Sequence, residues 1–183
     1  NNIILNIKES NLFGNSIIET MYNQLDFLKD KQVNTIYFGG GTPSFVEPKY
    51  IYGALKQIYS LYSVSKNAEI TLEVNPGTID ETKLKVYKNA GINRFSLGLQ
   101  TANDESLRRL NRIHNVEDYK KAISLLDGFN ISTDIMIGLP GEDITDVKKT
   151  IDLATSSPSV KHISLYALKA EEGTPMFTRY LNG

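Results

Sequence analysis

The chain has 183 residues and a formal net charge of -1, with 20 Lys and Arg against 21 Asp and Glu, so no broad electrostatic attraction draws it to nucleic acid or an anionic membrane. Hydrophobic residues make up 40% of it, enough for one domain with a real core, and its apolar runs are too short for a membrane-spanning helix. There is no cysteine, which excludes a disulfide, a thiol nucleophile, a zinc–thiolate centre and a cysteine-held iron–sulfur cluster within this chain, and two histidines leave little for a histidine-rich metal site.

Residues 1–14 fit no clear rhythm beyond a possible extra strand, and no signal-peptide pattern opens the chain, so a cytoplasmic location is the expectation. Ile17, Met21, Leu25 and Leu28 recur at helical spacing after Asn15-Ser16, a candidate N-cap pair. Thr35 to Phe38 reads as a strand ending in Gly39-Gly40-Gly41, and Pro48 opens a helix carrying Ile51, Leu55, Ile58 and Tyr62. Glu69 to Val74 is the next strand. Thr78 and Glu81 have capping-box spacing ahead of a helix that stops at Gly91. Arg94 to Gln100 is a strand, followed by a short helix near 104–110 and a longer one near 116–128. Ile131 to Ile137, a helix around 144–155 and the strand Ile163 to Ala167 complete the series. Strands alternating with single helices imply right-handed crossovers and a parallel sheet, either open and doubly wound or most of a β/α barrel.

The strand faces favour the barrel. A parallel strand covered on both sides is almost wholly apolar. Here Glu69, Thr71 and Glu73 alternate with Ile70, Leu72 and Val74, and Arg94, Ser96, Gly98 and Gln100 alternate with Phe95, Leu97 and Leu99. Ser132, Asp134 and Met136 repeat the pattern, as do His162, Ser164 and Tyr166. Closing the sheet turns this polar face into a lumen, whose polarity favours a polar ligand held at the carboxyl ends of the strands over a merely solvated face.

Candidate site residues gather at those ends. Three glycines before Thr42-Pro43 exceed what a tight turn needs and allow close backbone approach to a ligand, yet the spacing is neither that of a P-loop nor G-x-G-x-x-G. Glu73 precedes the turn at Asn75-Pro76, where a carboxylate can also serve merely as a loop cap. Asp134 lies mid-strand, where a lone charge is costly, so it needs a partner such as Arg94 or Arg112. Arg112 follows Asn111, a candidate left-handed stop. Gly138-Leu139-Pro140-Gly141 suits a helix entry. His162 lacks a second ligand at metal spacing and reads as a satisfied core or lumen histidine.

Taken in order, six segments resemble the radical S-adenosylmethionine (SAM) family, in the branch of oxygen-independent coproporphyrinogen III oxidases and haem-chaperone-like relatives. They are Tyr37 to Ser44, Glu73 to Pro76, Asn93 to Gln100, Asn111 to His114, Asp134 to Gly141 and His162 to Leu168, with Glu171 to Pro175 closing the set. The resemblance implies a partial (β/α)6 TIM-like barrel, incomplete at its N-terminus, over residues 1–183, with the family's C-terminal domain expected to lie outside. It implies that Gly40, Gly41 and Thr42 meet the methionine amino group of SAM, and that Glu73 and Gln100 meet its amino acid or ribose portions. Arg112 would take the carboxylate, Asp134 the ribose hydroxyls, and Ala167 would lie against adenine.

By resemblance the family's chemistry starts when a [4Fe–4S] cluster reduces SAM to give a 5′-deoxyadenosyl radical, which takes hydrogen from porphyrinogen propionates. The three cysteines that hold such a cluster belong in the stretch Asn1 to Gly14, which has none. The expectation is therefore a SAM-binding core of a coproporphyrinogen dehydrogenase-like enzyme, itself inactive and weak for SAM, whose longer parent carries the cluster and meets porphyrinogen or haem. The alternative is a haem-binding, haem-chaperone-like homologue, toward which Glu171 to Pro175 leans.

Overall fold

The computed structural model describes residues 2–6, 30–170, 172–173 and 177–178. The expected helix from Ile17 to Leu28, most of the Asn1 to Gly14 stretch and most of the Glu171 to Pro175 motif lie outside the described residues. Six parallel strands form one sheet: β1 (Asn2–Asn6), β2 (Gln32–Gly39), β3 (Ser63–Val74), β4 (Arg94–Gln100), β5 (Asn130–Ile137) and β6 (Val160–Ala167). Among the described residues five helices connect them: α1 (Pro48–Leu61), α2 (Glu81–Ala90), α3 (Asp104–Arg109), α4 (Val116–Leu125) and α5 (Ile144–Ala154), with single 3-10 turns at Pro43–Phe45 and Pro76–Thr78.

Spatial order equals chain order, β1-β2-β3-β4-β5-β6, and every neighbouring pair is parallel. A doubly wound sheet reverses its strand order at a switch point, and this sheet does not. Crossovers that share one hand and one direction stack their helices on one side, which bends the sheet toward a barrel. The result is a partial barrel of the expected kind, and the possible strand near the N-terminus is β1.

The alternation read from the sequence is the alternation observed. Phe38, Leu72, Phe95, Leu97 and Ile131 are fully buried in a single core together with Ile51, Leu55 and Ile58 of α1, Tyr87 of α2 and Tyr119 of α4. Fully burying such side chains contributes roughly 1.5–3 kcal/mol each. Thr133 shares this apolar face, and its hydroxyl is satisfied by Tyr119 Oη at 3.0 Å. Tyr37, Glu73, Ser96 and Asp134 point to the opposite, concave side.

Three local expectations change. The capping box at Thr78 does not form. Thr78 belongs to a 3-10 turn, where its hydroxyl donates to Asn75 O at 2.8 Å, and Asp80 instead caps α2 by accepting from Lys83 N at 2.8 Å. β3 starts at Ser63 rather than Glu69, because an exposed polar extension pairs with β2 across an irregular register between Val33 and Thr35. His162, opposite Ser132 on β6, is exposed rather than enclosed, since β6 borders the sheet.

Candidate functional site

The site grows from the loops that leave the strands. After β2 the backbone passes through Gly40 at φ 76° and Gly41 at φ 56°, conformations that side chains resist. Gly39 is constrained by space instead: a Cβ there would lie 2.6 Å from Tyr37 Cε1 and 2.9 Å from Glu73 Oε1. That crowding brings β2 and β3 together around one carboxylate. Tyr37 Oη donates to Glu73 Oε1 at 2.8 Å, and the Gly40 N–H donates to Oε2 at 3.0 Å. Burial, then the adjacent carboxylate, raise the Tyr37 pKa well above its ordinary value, so the phenol keeps its proton and stays a donor. Glu73 is thus held by both of its oxygens.

Below this pair the two loops are stitched together. The buried Ser44 hydroxyl accepts from Asn75 N at 3.0 Å and bonds Thr78 Oγ1 at 2.6 Å, while Lys83 Nζ donates to the carbonyls of Ser44 and Thr78 at 2.8 and 2.9 Å. These bonds fix the glycine loop relative to the end of β3.

On the far side, β4 ends in a tight γ-turn. Gln100 sits at φ 69°, and the Thr101 N–H donates to Leu99 O at 3.0 Å. Arg112 is presented by a Schellman motif at the end of α3. Asn111 occupies the left-handed position at φ 56°, its N–H donates to Arg108 O at 3.0 Å, and the Arg112 N–H donates to Leu107 O at 2.9 Å. The left-handed stop expected at Asn111 is present. Partial desolvation lowers the Arg112 pKa from its ordinary value, but an arginine remains charged.

Asp134 does not pair with an arginine as expected. Arg94 is taken by Glu69, Nη1 to Oε1 at 2.9 Å, one layer further from the strand ends. Asp134 accepts instead from Ser96 Oγ at 3.1 Å. A hydroxyl partner leaves the carboxylate with acceptor capacity facing the cleft.

These groups line an open cleft of about 120 Å³. Six of the eight residues singled out from the sequence line it: Gly41, Thr42, Glu73, Gln100, Arg112 and Asp134. Gly40 adjoins it through its bond to Glu73. Ala167, opposite Ile137 at the end of β6, is exposed and does not line the cleft. The sequence reading missed Tyr37 and His114. Tyr37 carried a signal, because it shares the period of the polar face. His114 sits in a loop, where no periodicity distinguishes it.

The radical SAM superfamily model matches residues 9–154, a span that contains the entire lining of this cleft. The chain belongs to the radical SAM superfamily. Within it, the chain is 34% identical over 169 residues to heme chaperone HemW of Buchnera aphidicola subsp. Schizaphis graminum, covering 91% of this chain and 44% of that protein. It is 40% identical over 158 residues to heme chaperone HemW of Haemophilus influenzae, covering 81% of this chain and 39% of that protein. The chain therefore spans less than half the length of these relatives. Among solved structures, coproporphyrinogen III oxidase (HemN) from Escherichia coli superposes with a TM-score of 0.76 over 84% of this chain and 36% of that one, at 23% identity. That likeness is one of fold. No helix among the described residues is long and apolar enough to cross a membrane.

Proposed function

We propose that the cleft binds SAM and that this chain is the SAM-binding core of a haem-binding radical SAM protein. The chemistry of the lining supports the first part. A SAM molecule offers an ammonium, a carboxylate, a sulfonium and a ribose diol. Two carboxylates, one guanidinium and exposed loop backbone are the complementary set. In this reading the Arg112 fork takes the carboxylate, while the Gly40 to Thr42 backbone, with Glu73, meets the ammonium. Gln100 meets the amino acid or ribose portion and Asp134 takes the ribose hydroxyls, with adenine extending past the cleft toward the exposed Ala167 at the end of β6. When bound, SAM would supply the deoxyadenosyl group for radical chemistry only with an electron from outside this chain, and the residues here would hold and orient it.

An iron–sulfur cluster does not fit this chain. There is no cysteine, and among the described residues no three His, Asp or Glu side chains gather closely enough to hold a metal. No electron-transfer step is assigned to these residues.

The observation that carries the haem assignment is the shared name of the relatives. Proteins 34% and 40% identical to most of this chain are heme chaperones, whereas the coproporphyrinogen oxidase likeness rests on fold at 23% identity. Haem binding is accordingly preferred over porphyrinogen oxidation. The test is a pair of measurements on the natural polypeptide that carries this sequence: titration with haemin followed by its absorption spectrum, and anaerobic turnover of coproporphyrinogen III with SAM and a reductant. Saturable haem binding without vinyl-product formation is expected. Turnover without haem binding would restore the oxidase reading.

A further inference from the structure

Behind the cleft, one buried side chain connects two of the segments that form its wall. His114, two residues beyond Arg112, is 4% exposed, and its Nε2 lies 3.3 Å from the carbonyl oxygen of Leu99. A carbonyl only accepts, so this bond places the proton on Nε2 and leaves Nδ1 as an acceptor. Nδ1 is buried and has no hydrogen-bond partner among the described residues. The same Leu99 carbonyl closes the γ-turn by accepting from Thr101 N–H. Gln100 at the centre of that turn holds a positive φ, a strain that persists in a residue with a side chain only where its surroundings enforce it. The turn folds the Gln100 amide over Gly98, where a Cβ would lie 3.0 Å from Gln100 Nε2. Its far side is fixed by Thr150 Oγ1, which accepts from Ala102 N–H at 2.9 Å. Its near side is fixed by His114.

We propose that His114 is a positioning residue whose Nε2–H bond to the Leu99 carbonyl ties the Arg112 loop to the Gln100 turn, keeping both side chains in register with a ligand in the cleft. The ligand rests on the SAM reading above; the tie itself does not. A structural imidazole elsewhere in the core would serve packing alone. This one joins two separate chain segments, each supplying a cleft residue.

The electrostatics agree with a neutral ring. Burial lowers the His114 pKa below the ordinary imidazole value, and the Arg112 charge acts in the same direction; the bond to Leu99 and the carboxylates of Asp118 and Asp104 act against it. A protonated ring would also add an Nδ1–H donor that lacks an acceptor. As pH falls through the ordinary imidazole range, the unfolded chain gains a proton that the folded chain refuses, so this group's contribution to stability is full above that range and declines below it. Protonation leaves the Nε2–H donor in place and the bond to Leu99 favours the charged ring, so the tie persists in acid and the pH effect falls on stability.

The test combines nitrogen-15 NMR with SAM titration of the wild type and the variants His114→Phe and His114→Gln. Long-range ring correlations in the wild type should show the Nε2–H tautomer near neutral pH. His114→Phe, if thermal melting shows it folded, should shift the amide signals of Gln100, Thr101 and Arg112 together and weaken SAM binding about tenfold, or ~1.4 kcal/mol. His114→Gln keeps a donor near the Nε2 position, so it should bind within about threefold of the wild type, a modest loss on the same scale, and its stability should lose the acid dependence. If His114→Phe is unfolded, the wild-type tautomer and the His114→Gln profile decide. An Nδ1–H tautomer, or a folded His114→Phe with unmoved Gln100 and Arg112 amides, would overturn the proposal. If the wild type binds no SAM, the cofactor reading fails, and the tautomer and paired amide shifts alone judge the tie.

Discussion

Glu73 is the residue on which the cleft turns, because two donors at the end of β2 fix its two oxygens. Replacing it by glutamine removes the charge and, with the amide oxygen kept for the Gly40 N–H, turns the Tyr37 hydroxyl from donor to acceptor. Hydrogen bonds to charged groups contribute roughly 1.5–3 kcal/mol, so Glu73→Gln should weaken SAM binding by about tenfold or more in a titration. An unchanged dissociation constant would remove Glu73 from the ligand's surroundings. Gly39→Ala reaches the same pair sterically and should perturb the Tyr37 and Glu73 resonances even without ligand. At Asn111 the expectation concerns stability alone. Its left-handed φ favours Gly or Asn, so Asn111→Gly should leave the urea midpoint nearly unchanged, whereas Asn111→Val should lower stability by about 1–2 kcal/mol. Equal midpoints would mean that the Schellman geometry does not hold Arg112. Most of these residues were visible in the sequence because charged and glycine residues at strand ends break the apolar pattern. What periodicity could not supply was the pairing. Asp134 finds Ser96 rather than an arginine, because Arg94 lies two residues earlier on β4 and meets Glu69 across the β3–β4 pair.

Among the elements, strand alternation was the most legible feature, since each side chain on a strand has only two faces to choose between. It gave β2 to β6 and the concave polar side. Ends were less legible, because caps compete within a few residues. Thr78, Asp80 and Glu81 all suit the start of α2, and the choice falls to Asp80 once Asn75 and Pro76 fold the preceding residues into a 3-10 turn. Asp80→Ala should therefore destabilise the protein by about 1 kcal/mol in urea unfolding, the usual cost of losing an N-cap. A negligible change would return the cap to Thr78. The γ-turn at Gln100 was not legible at all. Nothing in Gly98-Leu99-Gln100-Thr101 demands it, and it depends on His114 and Thr150 arriving from later in the chain.

For the whole molecule, sequential parallel order places every strand end on one rim, and six of the residues singled out from the sequence converge there from the loop after β2, from β3, β4 and β5, and from the loop after α3. The zero cysteine count sets a limit on that site. Incubation of this chain with iron and sulfide under anaerobic conditions should yield no brown [4Fe–4S] absorption, and the appearance of a stable cluster would show that other ligands serve. The family and the barrel were legible because several motifs fall in order over most of the chain. The choice between haem binding and porphyrinogen oxidation was not, because both share the motifs that line the cleft. The central claim is that this rim is a SAM site. Its most direct test is titration of the nitrogen-15-labelled protein with SAM, with S-adenosylhomocysteine as competitor. Saturable shifts should cluster at Gly40 to Thr42, Glu73, Gln100, Arg112 and Asp134. Saturation with shifts elsewhere, or none at millimolar SAM, would contradict it.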